Sequence, residues 1–146
     1  MTSAAFSVGR RIFVDSSAYY AVSDLDDANH ERAAALLHQL VAARRSTFTT
    51  NYVIAESHAL HLSRLGYQAA LRWLTGIVDD RATVIVRVSL RDEHRARDII
   101  RAYDDKTFSL SDATSFAVME RLRISQAFSF DADFRQFGFV TLPERH

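Results

Sequence analysis

Two rhythms of apolar residues alternate along this chain. Short runs rich in β-branched and aromatic residues read as strands, and longer stretches with apolar residues every three or four positions read as helices. Arg11 to Val14 is a short apolar strand ending at Asp15, and a helix follows through Ala18, Tyr19 and Val22. Ala28 to Arg44 carries Ala33, Leu36, Leu37, Leu40 and Val41 at i, i+3, i+4, i+7 and i+8, the stripe of an amphipathic helix. Thr47 to Thr49 reads as a second strand, with Thr50 or Asn51 as the cap of a helix from Tyr52 to Leu65 that stops at Gly66. The next helix, Tyr67 to Val78, has its stripe at Tyr67, Ala70, Leu71, Leu74, Ile77 and Val78. Thr83 to Val88 reads as a strand, Leu90 to Tyr103 as a charged amphipathic helix and Ser111 to Leu122 as another helix. Gln126 to Phe130 and Phe139 to Leu142 read as the last strands. Strands alternating with helices predict an α/β fold with a mainly parallel sheet. Such sheets bind ligands beyond the carboxyl ends of their strands.

Composition narrows the chemistry. The 146 residues suit one domain, and the four glycines and single proline mark no linker. Residues 1–10 read as a flexible N-terminal arm and 11–146 as a single domain. The absence of cysteine excludes disulfides, thiolate zinc sites, iron–sulfur clusters and a cysteine nucleophile. Lys+Arg and Asp+Glu both number 18, so the chain has no strongly basic coat. Of the cations, only Lys106 is a lysine. No run approaches the length of a membrane helix and no signal-peptide pattern opens the chain, so a cytoplasmic protein is expected.

The acids fall in telling places. Asp15 follows the first strand, and Asp131 follows the strand at Phe128, with Asp133 close behind. Glu56 shares a helical face with Tyr52, Ala59 and Leu60, where an unsatisfied carboxylate is costly. Asp112 opens a helix on a line with Phe116 and Met119. Each has a structural use as well. Asp15 and Asp131 can cap helices, and Ser109-Leu110-Ser111-Asp112 fits a capping box. An α/β fold gathers all four on one edge of the sheet. Gathered carboxylates repel one another, and a divalent cation relieves that repulsion. Hydrated cations held this way can activate a water and stabilise the leaving oxygen of a phosphodiester.

Four blocks in order carry a resemblance: Ile12-Phe13-Val14-Asp15-Ser16-Ser17-Ala18, Thr50-Asn51-Tyr52-Val53-Ile54-Ala55-Glu56, Phe108-Ser109-Leu110-Ser111-Asp112-Ala113 and Ala127-Phe128-Ser129-Phe130-Asp131-Ala132-Asp133-Phe134. The chain resembles PIN-domain ribonucleases, specifically VapC-type toxins of type II toxin–antitoxin pairs. The resemblance implies a three-layer α/β/α sandwich and a Mg²⁺- or Mn²⁺-dependent endoribonuclease. It implies that Asp15, Glu56, Asp112 and Asp131 are the catalytic, metal-holding acids, with a less secure place for Asp133. Ser16 and Ser129 match supporting hydroxyl positions. It further implies a homodimer and a cognate VapB-type antitoxin that covers the site. Candidate phosphate-binding arginines are Arg10, Arg11, Arg91, Arg95 and Arg135.

Other features read as structural. His58 and His61 lie about 200° and 140° around the helix from Glu56, so they share no face with it and read as an exposed or interface pair. Phe130, Phe134, Phe137 and Phe139 crowd the last of these blocks and read as core, with stacking on RNA bases as the alternative. Trp73, at the edge of its helix's stripe, reads as a partly exposed antitoxin or dimer contact. Two alternatives stand beside the nuclease. An aspartyl-phosphate phosphatase also places an acid after its first strand, but Ser17 stands where that class has a second aspartate. A receiver-like signalling domain uses strand-end acids and a lysine, for which Lys106 is available, but leaves Glu56 without a role.

Overall fold

A computed structural model describes residues 9–144; most of the expected N-terminal arm lies outside the described residues. Five parallel strands form one sheet: β1 (Arg11–Val14), β2 (Ser46–Thr50), β3 (Thr83–Val86), β4 (Gln126–Phe128) and β5 (Val140–Leu142). Their order is β3-β2-β1-β4-β5. The connecting helices are α1 (Ser16–Ser23), α2 (His30–Ala42), α3 (Asn51–Leu65), α4 (Tyr67–Asp79), α5 (Leu90–Ala102), α6 (Leu110–Leu122) and α7 (Ala132–Phe137).

The alternation of β1 side chains divides the core. Ile12 and Val14 point to one face, where Ala18 and Ala21 of α1 and Ala33, Leu36 and Leu40 of α2 cover them. Phe13 points to the other face, against Val53 of α3, Ile99 of α5 and the nearly wholly buried α6. The sheet is therefore sandwiched between two helical layers, as the resemblance implies.

The winding fixes where a site can form. From β1 the chain steps outward to β2 and then β3. It then crosses back to lay β4 on the opposite side of β1. Between β1 and β4 the connections leave in opposite directions, which opens a crevice at the carboxyl ends of these two strands. A flavodoxin- or receiver-type sheet runs in the order 2-1-3-4-5, so this topology removes the receiver alternative. Lys106 sits in the α5–α6 connection, paired with Asp105 at 3.2 Å.

The elements start and stop for local reasons. Thr50 caps α3 by accepting from Val53 N at 3.1 Å. Ser89 and Asp92 form a full capping box on α5, and Asp92 also accepts two bonds from Arg121, tying α5 to α6. Gly66, at φ 91°, turns the chain from α3 straight into α4. The strand expected over 83–88 ends at Val86, and Val88 N donates to Asn51 Oδ1 at 2.9 Å instead of to a neighbouring strand. The strand expected over 126–130 ends at Phe128 because the amides of Phe130 and Asp131 turn to the hydroxyls of Ser17 and Ser129.

Three faces differ from their sequence patterns. The buried face of α3 is Val53, Ser57 and His61, and Glu56 is exposed rather than set among apolar side chains. His61 causes that rotation and is no exposed pair with His58. Its Nδ1–H donates to the Ser57 carbonyl at 2.6 Å, which leaves Nε2 to accept from Ser23 Oγ at 2.8 Å. Its ring stacks on Trp73 at 4.8 Å, and burial holds its pKa low. Trp73 is half-buried and pulls α4 round with it, so Tyr67, Leu71 and Val78 of the expected stripe are exposed. On α2, Leu37 and Val41 are exposed as well. With Tyr19, Trp73, Gly76 and Ile77 they line an apolar groove of about 560 Å³ between α2 and α4.

Candidate metal centre

The crevice between β1 and β4 collects the acids. Register places Val14 opposite Phe128, and Asp15 N donates to Phe128 O at 3.1 Å, so Asp15 lies beside Ser129. Asp15 is the N-cap of α1, Asp131 is the N-cap of α7, and Asp112 is the third residue of α6 behind its cap Ser109. Each acid is thus both a helix-start residue and a lining residue of the crevice; Asp15 and Asp131 cap as expected, whereas at Asp112 only the Ser109 half of the capping box is formed, with Asp112 N donating to Ser109 Oγ at 3.0 Å.

Asp112, Asp131 and Asp133 form the tightest group, each with a ligand oxygen within 4.8 Å of the others. Asp133 therefore has a firmer place than its sequence position indicates. Its amide donates to Asp131 Oδ1 at 2.9 Å, which holds the Asp131 carboxylate against the start of α7. Asp15 is outside this triple but close enough that its charge acts on Asp112. Glu56 stands further out, exposed, with Oε1 accepting from Ser16 Oγ at 2.8 Å and Ser111 Oγ at 3.4 Å.

Electrostatics mark the cluster as uncompensated. Burial and the neighbouring Asp131 charge push the Asp112 carboxyl up to about 8. Burial pushes Asp15 up to about 6, against the opposing effect of its Ser17 hydrogen bond. Burial also raises Asp131. None of the ion pairs among the described residues involves these acids. Three buried or half-buried carboxylates sharing a few ångströms, with no basic side chain paired to them among the described residues, are the donor set of a hard divalent ion. The residues fit Mg²⁺ or Mn²⁺, and the lack of sulfur and histidine at the cluster disfavours softer metals.

A net of hydroxyls aims Asp15. Its Oδ2 accepts from Ser17 Oγ at 2.8 Å, Ser129 Oγ at 3.1 Å and Ser17 N at 3.4 Å. Ser17 Oγ also accepts from Phe130 N at 2.9 Å, so one hydroxyl ties the loop after β1 to the loop after β4. The sequence reading named Ser16 and Ser129 but passed over Ser17 and Ser111. The signal for Ser17 was its spacing: it is the second residue of a helix whose cap is a site acid, within reach of that carboxylate. Because Ser17 spends its proton on Asp15, it does not act as the second acid of a phosphatase.

The candidate arginines separate. Arg10 and Arg11 stand at the amino end of β1, opposite the crevice, and Arg11 lies over the Phe48 ring. Arg95 is engaged by both carboxylate oxygens of Glu120, at 2.9 and 3.1 Å. Arg91 is exposed at the start of α5, and Arg135 on α7 borders Asp131. Phe134 is fully buried, and Phe137 and Phe139 pack against the same core, as expected. Among the described residues no helix is long and apolar enough to cross a membrane.

Comparison with known proteins agrees with this geometry. The chain is 34% identical over 132 residues to the 23S rRNA-specific endonuclease VapC20 of Mycobacterium tuberculosis, in strains CDC 1551 / Oshkosh and H37Rv, covering 88% of this chain and 95% of that protein. The crystal structure of Mycobacterium tuberculosis VapC20, a sarcin–ricin-loop-cleaving toxin, superposes with a TM-score of 0.79 at 33% identity, covering 88% of this chain and 96% of that one. The PIN domain family model matches residues 12–140, nearly the whole of the described fold. The acids at the crevice, the strand order and these matches together place the chain in the PIN-domain family.

Proposed function

We propose that this protein is a metal-dependent endoribonuclease that acts as the toxin of a toxin–antitoxin pair in the cytoplasm. The observation that carries the reading is the uncompensated carboxylate cluster at the β1/β4 crevice of a PIN fold. Asp112, Asp131 and Asp133 would hold Mg²⁺ or Mn²⁺, with Asp15 offering the oxygen that its hydroxyl net leaves free. A divalent cation there supplies an acidified water and charge stabilisation for the leaving oxygen. The remaining roles belong to the chain itself. Ser17 and Ser129 hold Asp15 in one orientation. Ser16 and Ser111 fix one oxygen of Glu56 at the rim and leave the other to take a proton or orient the attacking water.

The similarity to VapC20 makes the sarcin–ricin loop of 23S ribosomal RNA the first substrate to try. The apolar groove between α2 and α4 supports a protein partner, and a VapB-type antitoxin is the partner that the family suggests. The exposed Leu62, Tyr67 and Leu71 on α3 and α4 support self-association as a homodimer.

The test is cleavage of a labelled sarcin–ricin-loop RNA by protein freed of any partner. Cleavage should appear with Mg²⁺ or Mn²⁺, stop with chelator and return when metal is restored. Equal cleavage in chelator would refute the metal-dependent reading, and no cleavage of any structured RNA would refute the nuclease itself.

A further inference from the structure

A second, smaller pocket of about 260 Å³ adjoins the metal centre and shares one wall with it, Asp131. It lies between the start of α2, the β4–α7 turn and the end of β5. Arg32, Phe130 and Arg135 are among its lining residues. Two guanidiniums therefore flank one pocket beside the acids.

Neither is neutralised. Arg135 makes no side-chain hydrogen bond or ion pair among the described residues, and Arg32 has no carboxylate partner there. Arg32 is nevertheless placed. One Nη2–H donates to the Glu144 carbonyl at 3.2 Å, and its Cζ lies 5.6 Å from the Phe130 ring centroid. A guanidinium has five N–H donors, so most of Arg32's remain for a ligand. Arg32 is exposed over the Phe130 ring, and guanidinium and aromatic side chains are the kind on which RNA bases stack. The acid in the wall, Asp131, faces the metal cluster on its other side. A ligand suited to this pocket carries an anionic group for the arginines and a flat ring for the Arg32–Phe130 pair. It must also be continuous with whatever occupies the metal centre.

We propose that this pocket binds the RNA nucleotide adjoining the scissile phosphate. Arg135 and Arg32 hold its phosphate, and the Arg32–Phe130 pair receives its base. This rests on the ribonuclease reading and adds a substrate subsite to it. Arg135 acts as a phosphate contact, for which lysine is an adequate substitute. Arg32 acts through its plane as well as its charge, so lysine is not.

The experiment compares wild type with Arg32→Ala, Arg32→Lys, Arg135→Ala and Arg135→Lys on a labelled RNA hairpin. Arg101→Ala, an exposed arginine paired with Asp98, serves as control. Cleavage is measured over a salt series, RNA affinity in chelator by fluorescence anisotropy, and Mn²⁺ affinity by calorimetry. Each alanine variant should raise KM about tenfold with little change in kcat, and flatten the dependence of log(kcat/KM) on log salt by about one unit per arginine. Arg135→Lys should recover most of the loss and Arg32→Lys little of it, with Mn²⁺ affinity unchanged throughout. Unaltered KM and salt slope in both alanine variants would overturn the subsite while leaving the nuclease intact. Equal rescue by lysine at both positions would overturn the stacking role. A wild type that neither cuts nor binds RNA would overturn the subsite together with the nuclease reading. One that binds RNA through these arginines without cutting would overturn only the nuclease reading.

Discussion

Replacing Asp112 by asparagine should make the metal-free protein more stable, in proportion to pH. The side chain is 8% exposed, and its carboxyl is raised from an ordinary value of 3.8 to about 8. Between those two values the native state binds a proton that the unfolded chain has released. The slope of stability against pH is therefore negative, and the fold loses stability as pH rises from about 4 towards 8. Each pH unit is worth about 1.4 kcal/mol for one group, so the penalty near pH 8 has a ceiling of about 5 kcal/mol. The asparagine amide can donate to the Asp131 and Asp133 carboxylates, so no donor is left unpaired, and the half-buried setting of those two acids screens part of the repulsion, so the full ceiling is not reached. The net gain is about 2–4 kcal/mol at pH 8, or roughly 5–12 °C in Tm for a domain of this size. At pH 4 both side chains are neutral and the two proteins should melt together. Excess Mn²⁺ should close and then reverse the gap: wild type gains about 3 kcal/mol at a hundredfold excess over its Kd and about 4 kcal/mol at a thousandfold excess, and the variant gains little. Differential scanning calorimetry at pH 4, 6 and 8, with and without Mn²⁺, reads all of this. An Asp112→Asn protein that is less stable than wild type at pH 8, or whose gain is the same at pH 4, would refute the reasoning.

Asp15→Asn should abolish RNA cleavage while leaving far-ultraviolet circular dichroism unchanged; full metal-dependent activity in this variant would remove Asp15 from the site. Ser17→Ala should lower Mn²⁺ affinity or cleavage rate by about 10–100-fold, as loss of a hydrogen bond behind a ligand does, and Ser17→Thr should retain most of both. Phe116→Ala removes a fully buried ring packed on Phe134 and Phe137 at 5.0 and 4.7 Å, and chemical denaturation should show a loss of about 3–5 kcal/mol. Trp73 fluorescence should shift when a partner fills the α2–α4 groove; a fully buried spectrum that does not change in the complex would exclude the groove as the docking face.

The elements were legible because their signals are local. The stripe over Ala33, Leu36 and Leu40, the cap at Thr50 and the strand-end position of Asp15 each need only neighbouring residues. Facing directions were less legible because distant side chains decide them. Nothing near Glu56 in sequence reveals that His61 turns inward onto Ser23 and Trp73, and that turn is what leaves Glu56 exposed. Leu37 and Val41 complete a helical stripe in sequence, but the layer above them is open, so they line a groove. The acids were recognisable individually. Their gathering at one edge of the sheet followed from the strand-end positions, but the membership of the tightest group did not, because whether Asp133 or Asp15 joins Asp112 depends on the tight turn at Asp131. Arg32 was invisible as a site residue because it lies on α2, nearly a hundred positions from Asp131, and only the fold joins them.

The site's electrostatics also explain how a neutral chain can handle a polyanion. Setting aside Asp15, Glu56, Asp112 and Asp131 leaves 14 acids against 18 cations, a remainder of +4. The positive part is not spread evenly, because Arg32 and Arg135 stand against the wall of the acidic cluster. An RNA strand crossing Asp131 therefore passes from a negative zone to a positive one within one nucleotide. Without metal, an ionised carboxylate about 6 Å from a phosphate costs about 3 kcal/mol at an effective dielectric of 20, which offsets what one arginine contact returns. With metal the repulsion disappears and the arginines act unopposed. Metal should thus control binding as well as cleavage. RNA affinity should rise when Mn²⁺ is added to a variant that cannot cut, such as Glu56→Gln. The increase should be largest near pH 8, where Asp112 gives up its proton most readily. Affinity that ignores Mn²⁺ at every pH would mean that the strand avoids the acids altogether.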